Sequence, residues 1–527
     1  MCGIWFCLGE PVEHMRDCLK NLEARGPEGT RVLDLDGCTL GFTRLAINGL
    51  NEAGMQPMRR GGLSWVCNGE IYNWKALATE YGLTNTSGSD CEILGELYEL
   101  FCQRDIPLEE FFRALDGVFA LIIVDEVRCR VVVGRDPYGV RPLFWGSAEG
   151  FRRLYASEMK SLVPVCEEIS TFQPGTFQIL YPKMSTEVAY EFVYHTAPFL
   201  KNPQLAVEEN ALSAVRVALV EAVRKRLMTQ RPVAALLSGG VDSSLIAALV
   251  ARELKAAGAP PLETYSIGME GSQDLFHAAR VAKWIGSKHT EIIMTADKFF
   301  EAIPAVIHDI ESYDTTTVRA SVGNWLVARA ISQQSNAKVV FNGDGADEIW
   351  GSYLYFYGAP SSHAFEAETR RLLKDIHMFD VLRSDRCISS HGLEPRTPFL
   401  DKQFVAVALS VATEFRMPIK GSRPEKWLMR KAFDNGELLP REVLWRQKEA
   451  FSDGVSGTEK SWYQITQEMA EAKVGPQTDT TPEKFYYRSL FQKYYGDDFA
   501  HVNVPYFWMP RWSKATDPSA RTLEVYS

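Results

Sequence analysis

The stretch "PVAALLSGGVDSSLIAALVARELKAAG" (232–258) constrains the fold more than any other part of this sequence. A short, wholly apolar run enters a Ser-Gly-Gly turn, and apolar residues then recur at Leu245, Ile246, Leu249 and Val250 with helical spacing. A strand with no polar face, followed at once by a helix, has to be covered on both sides, so it belongs to a parallel sheet. Further short apolar runs, "LETYSIG" (262–268) and "KVVFNG" (338–343), alternate with helical segments and predict more strands of that sheet. The turn also carries chemistry. Glycines let backbone N–H groups converge without side chains in the way, and the helix adds its positive end, so the turn suits phosphate. Ser243 and Ser244 add hydroxyl donors, and no lysine follows the glycines as in the GxxxxGK[ST] loop.

Upstream the rhythm differs. "LSWVCNGEIY", "GVFALIIVDE", "CRVVVGRD" and "GTFQILYP" are β-branched or aromatic runs bounded by Gly, Asp and Pro, and they predict a strand-rich α+β domain. One helix is predicted in "SDCEILGELYELF" (89–101), capped by Ser89 or Asp90. Residues 194–210 lose strand character and carry two prolines, which predicts a linker. The expected organisation is therefore a domain over 2–193, a linker over 194–210 and a second domain over 211–527, which a length of 527 residues also favours. The polar, proline-containing stretch 473–484 predicts a mobile loop.

Composition excludes several classes. A net charge of −10 argues against nucleic-acid and anionic-membrane partners. No apolar run approaches the roughly 20 residues that span a bilayer, and "MCGIWFCLGEPVEH" lacks the basic start of a signal peptide. The ten cysteines include no CxxC pair and nine precede residue 167, a pattern of reduced thiols in a cytoplasmic protein.

Cys2 stands apart. If Met1 is removed, this residue holds a thiol and a free α-amine, and an amine of pKa near 8 can take the thiol's proton. The terminal position thus supplies the nucleophile with its own base. A second cluster, Asp344, Asp347 and Glu348, follows the strand "KVVFNG". Carboxylates so close repel one another unless a cation offsets them, as Mg²⁺ bridging carboxylate and polyphosphate would. Lys448 is a point charge suited to phosphate.

Ser238-Gly239-Gly240-Val241-Asp242-Ser243 resembles the pyrophosphate loop of the N-type ATP pyrophosphatases. The N-terminal third resembles the N-terminal-nucleophile glutaminases through Cys2-Gly3-Ile4, Arg25-Gly26-Pro27, Arg44-Leu45-Ala46-Ile47, Asn68-Gly69-Glu70-Ile71-Tyr72-Asn73 and Gly88-Ser89-Asp90-Cys91-Glu92. Joined in this order, and with "GRDPYGVRPLF", "EPRTPFLD", "WRQKEAFSDG" and "WMPRWSKATDPSAR", the chain resembles the glutamine-dependent asparagine synthetases over essentially its whole length. The resemblance implies a four-layer αββα glutaminase domain followed by an α/β, adenine nucleotide α-hydrolase-like synthetase domain.

It further implies glutamine, aspartate and ATP as substrates, Mg²⁺ as cofactor and a cytoplasmic homodimer. Cys2 would be the nucleophile, with Asn68 and the Gly69 N–H as oxyanion hole. Arg44 would hold the glutamine carboxylate, Glu70 and Asp90 its ammonium, and Leu45, Ala46, Ile47 and Asn48 would complete that pocket. Leu236, Ser238, Gly239, Gly240, Asp242, Ser243, Ile267, Asn342 and Gly343 would surround ATP, although Leu236 and Ile267 suit an apolar core equally well. Asp242 and Asp347 would bind the metal, Arg319 and Lys448 the phosphates, and Asp344 would handle the ammonia proton. Six positions depart from the family pattern: Glu28 for Asp, Ala24 for His, Ser352 for Gly, Asn342 and Ala346 each for Ser, and Asp344 for Glu. The last shortens the side chain by one methylene, about 1 Å of reach, enough to alter the rate of the synthetase step.

Overall fold

The computed structural model describes all residues except 10–12, 150–151, 183–184, 200–203, 449–453, 458–459 and 525–527. Two six-stranded antiparallel sheets dominate the N-terminal part. The first runs, in spatial order, Glu168–Thr171, Phe144–Ala148, Arg152–Ala156, Gly3–Leu8, Cys38–Thr43 and Thr30–Leu35. The second runs Ser185–Val193, Thr176–Tyr181, Arg130–Arg135, Gly117–Asp125, Leu63–Ile71 and Met58–Arg60.

Period-2 alternation explains how they stack. Ile4, Phe6 and Leu8 face Val66, Ala120, Ile122 and Val124 between the sheets. Trp65, Cys67 and Leu121, on the other face of the second sheet, pack under the helices Ile93–Gln103 and Leu108–Ala114. Trp5 and Cys7 point outward onto Leu19 of the helix Met15–Lys20. The result is the expected αββα layering.

The C-terminal part is built on a five-stranded parallel sheet, ordered Lys288–Ile293, Glu263–Gly268, Val233–Leu236, Val339–Phe341 and Glu394–Arg396. The last strand contains Pro395, which an edge strand tolerates because its missing N–H leaves no ladder position empty. The first strand of this sheet in chain order, Val233–Leu236, has the second on one side and a later one on the other. The order reverses there, so a crevice opens between the loops after Val233–Leu236 and Val339–Phe341.

Local differences from the sequence reading have physical causes. Neither Ser89 nor Asp90 caps the predicted helix: a 3₁₀ turn, Asp90–Glu92, intervenes, and Asp90 turns to accept the Ile71 N–H at 2.7 Å. The loop predicted in 473–484 spans 475–481, bounded by the helix Trp462–Val474 and by Pro482–Tyr495, which opens at its proline. Of 194–210, Tyr194 is buried with its hydroxyl on the Arg135 carbonyl, Leu205 pairs with Ser410, and a helix already opens at Glu208. Residues 200–203 of that span lie outside the described residues.

The two parts share their cores. Leu45, Ile47, Val118 and Tyr138 pack with Ala211, Val215 and Leu245. Gly26 sits where this architecture is tightest: a Cβ there would lie 2.3 Å from the Thr43 carbonyl and 2.5 Å from the Arg44 nitrogen. Gly26→Ala is therefore expected to cost about 1–3 kcal/mol by overpacking, read as a lowered Tm in a thermal melt, and to raise the KM for any substrate that Arg44 binds.

Two candidate active sites

The first site gathers at the start of the chain. The Cys2 thiol reaches the Leu45 carbonyl at 3.5 Å, and the Arg25 guanidinium donates to the Cys2 carbonyl at 3.1 Å. Burial pushes the thiol pKa up to about 11, with Glu394 and Glu70 adding to it, so the thiol is neutral at pH 7 while Met1 blocks the Cys2 nitrogen. Met1 is itself buried, and desolvation lowers its amine to about 5. An amine in this environment is an uncharged base at neutral pH.

Around the thiol, the turn at Gly26-Pro27 pairs with Arg44 through the Glu28 N–H on the Arg44 carbonyl (2.9 Å) and the Arg44 N–H on Gly29 (2.8 Å). The Arg44 side chain donates to the carbonyls of Asn51 (2.9 Å) and Gly49 (2.5 Å). Among the described residues no carboxylate lies within 4.0 Å of it, so a buried cation is left for a ligand's carboxylate. Asn68 is fully buried with both amide atoms unpartnered, as an oxyanion donor requires before its substrate arrives. At Gly69 only glycine fits, because a Cβ would sit 2.1 Å from the Val118 carbonyl oxygen.

Glu70 accepts the Asn48 amide at 2.7 Å; burial and the neighbouring Asp90 and Glu394 raise its pKa well above the carboxylate range. Burial likewise lifts Asp90 to about 6. Ala46 and Ile47 act through their backbones, Ala46 donating to Glu28 (2.8 Å) and Ile47 accepting from Gln230 (3.0 Å).

The second site is a cavity of about 250 Å³ at the carboxyl end of the parallel sheet. Leu236, Ser238, Gly240, Asp242, Ser243, Ile267, Asn342, Gly343, Asp344, Asp347 and Lys448 all line it. Gly239 is in the same turn at φ +74°, where a Cβ would strike His277. Ser243 Oγ bonds the Ser238 N–H (3.1 Å) and hydroxyl (3.0 Å), shaping the loop. Gly343 is required by contact between the two loops, since a Cβ would lie 2.8 Å from the Ser243 nitrogen.

Lys448 grips both Asp347 oxygens at 2.7 Å. Lys426, which no sequence signal distinguished, bridges Asp242 (2.6 Å) and Asp347 (2.5 Å) from a left-handed backbone at φ 58°. The two lysines hold the Asp347 carboxyl well below its usual range. Asp242 keeps one buried oxygen without a partner. Two carboxylates, one with a free oxygen, beside a phosphate-type loop form a donor set that fits Mg²⁺.

Arg319 corrects the sequence reading. It is not among the cavity-lining residues. Its buried guanidinium is committed to Glu483 (2.7 and 2.5 Å) and Asp517 (2.7 and 2.8 Å), fastening the C-terminal helices and tail. That tail nevertheless reaches the cavity through Tyr506 and Trp508. Asp344 is held by Arg383 at 3.0 Å, and its other oxygen is buried and unpartnered.

Comparison with known proteins decides the family. The asparagine synthase family model matches residues 214–371 and 358–516, and the glutamine amidotransferase domain model matches residues 1–214. The glutamine-hydrolysing asparagine synthetase of Cricetulus griseus is 40% identical over 100% of this chain and 99% of its own length. Those of Gallus gallus and Homo sapiens are each 39% identical with the same coverage. The chain belongs to the glutamine-hydrolysing asparagine synthetases. It is a carbon–nitrogen ligase with glutamine as amido donor. No described helix is long and apolar enough to cross a membrane.

Two outcomes follow from the geometry of these sites. Arg319→Met strands two carboxylates and is expected to destabilise the fold by about 3–5 kcal/mol, with protease cleavage in 475–524 appearing before cleavage elsewhere. If Asp90 receives a ligand's ammonium group beside Glu70, affinity for that ligand is expected to fall as pH drops through about 6 and Asp90 loses its charge, seen as a rising KM.

Proposed function

We propose that this enzyme releases ammonia from glutamine at Cys2 and consumes it at the parallel-sheet cavity. The observation that carries the first half is Asn68, whose buried amide has no partner until an oxyanion forms. Once Met1 is removed, the Cys2 amine takes the thiol proton and Sγ attacks the glutamine amide carbon. The C–N bond breaks, ammonia leaves with that proton, and water hydrolyses the thioester to glutamate. Arg44 receives the α-carboxylate, while Glu70 and Asp90 receive the α-ammonium.

At the second site the aspartate β-carboxylate attacks the α-phosphorus of ATP, and pyrophosphate leaves against the Ser238–Ser243 turn and Lys448. Asp242 and Asp347 are the residues that would hold Mg²⁺, which when bound neutralises polyphosphate charge. Ammonia then attacks the acyl adenylate, AMP leaves, and the free oxygen of Asp344 accepts the ammonia proton. Arg383 holds the other Asp344 oxygen, which fixes the shorter side chain in place. Ammonia would gain a proton in open water, so a dry passage between the sites is part of the proposal. By family resemblance the enzyme works as a cytoplasmic homodimer.

Product analysis tests this reading. With ATP, Mg²⁺, aspartate and glutamine, asparagine, glutamate, AMP and pyrophosphate are expected in equal amounts. Cys2→Ala is expected to abolish asparagine formation from glutamine and retain it from ammonium salts; loss of both would count against the division of labour.

A further inference from the structure

The glutamine pocket is not closed by the N-terminal part alone. Arg396, on the edge strand Glu394–Arg396 of the parallel sheet, is completely buried and places Nη2 3.5 Å from Glu70 Oε2. Among the described residues it is the sole cation within 4.0 Å of that carboxylate. Its orientation is fixed from behind: Nε donates to Glu394 at 2.6 Å, Nη1 donates to the Arg226 carbonyl at 2.9 Å, and the guanidinium lies over the Tyr72 ring. The Arg396 carbonyl accepts the N–H of Asn342 at 3.1 Å, in the loop that lines the synthetase cavity. One buried residue therefore touches both centres.

The groups facing Glu70 come from four segments. Asp90 approaches from the 3₁₀ turn, Glu394 and Arg396 from the edge strand, Arg141 from the loop after Arg130–Arg135, and Asn48 donates from the Arg44 segment. Two carboxylates thus oppose ionisation of Glu70 and two guanidinium groups favour it. An ammonium ligand needs the ionised form.

We propose that Arg396 is a positioning residue for glutamine, set against Glu70 so that this carboxylate is aimed into the pocket and can receive the substrate's α-ammonium group. The claim rests on reading the Cys2 pocket as the glutaminase site. It assigns part of glutamine recognition to the synthetase half of the chain, and makes glutamine affinity depend on the edge strand that also supports Asn342.

The test is the pH profile of kcat/KM for glutamine hydrolysis in full-length variants. Arg396→Met removes the near cation, so the acid limb is expected to move up by about one pH unit, with KM at pH 7 raised about tenfold and kcat changed less. Arg396→Lys keeps a positive charge and is expected to restore most of the limb. Glu394→Gln removes an opposing carboxylate and is expected to move the limb in the other direction, toward lower pH, a sign reversal that loss of packing does not produce. Unmoved limbs in the variants that fold would overturn the proposal. So would equal losses of the glutamine- and ammonia-dependent reactions, which would show a displaced strand. Should the unaltered enzyme fail to hydrolyse glutamine, the reading of the Cys2 pocket falls instead.

Discussion

The guanidinium of Arg25 is wholly removed from water, and everything at the first site is arranged around it. It donates to the Cys2 carbonyl at 3.1 Å, to Glu158 at 2.7 Å, to Asp385 at 2.8 Å and to Ser389 at 2.9 Å. An isolated buried charge costs several kcal/mol, and a pair repays that only when its hydrogen bonds are complete. Here Glu158 lies in the N-terminal part and Asp385 in the helix Asp380–Ser389 of the C-terminal part, so completing the bonds fixes one part against the other. The same helix carries Arg383, which grips Asp344, and Ser384, which accepts from Asn342 at 2.7 Å. Three consecutive residues thus reach from the support of Cys2 to the support of the loop at Asn342 and Asp344.

Three of the departures from the family pattern are locally satisfied. Glu28 Oε2 accepts the Ala46 N–H while Oε1 takes Arg231 at 2.7 Å, a span across the two parts that a longer carboxylate side chain makes possible. Ser352 donates to Asp347 at 2.6 Å and so joins the network that holds this carboxylate ionised. Asp344, shortened by one methylene, is drawn by Arg383, which is itself shared with Asp380. Nothing in the structure explains Ala24.

Much of this was legible in the sequence, where local chemistry writes itself in periodicity and turns. The strands Leu63–Ile71, Gly117–Asp125 and Val233–Leu236 carry their β-branched and apolar runs openly, and the Ser-Gly-Gly turn announces its loop. What stayed hidden depends on long-range pairing. Lys426 reaches Asp242 across 184 positions, and Arg396 reaches Glu70 from the far half of the chain, so neither contact is written in local spacing. The strand Glu394–Arg396 is three residues long with a central proline, which masks it as a loop. Arg319 misled for the converse reason. Its motif suggested a free phosphate cation, whereas two acids from the distant tail, Glu483 and Asp517, claim it.

The central proposal is that ammonia released at Cys2 is used inside the same body without passing through solvent. Supplying glutamine with heavy nitrogen in its amide, together with excess unlabelled ammonium at a pH where little of it is free ammonia, tests that claim directly. The account predicts asparagine whose side-chain nitrogen is almost entirely heavy. Label diluted to the composition of the bulk pool would contradict it.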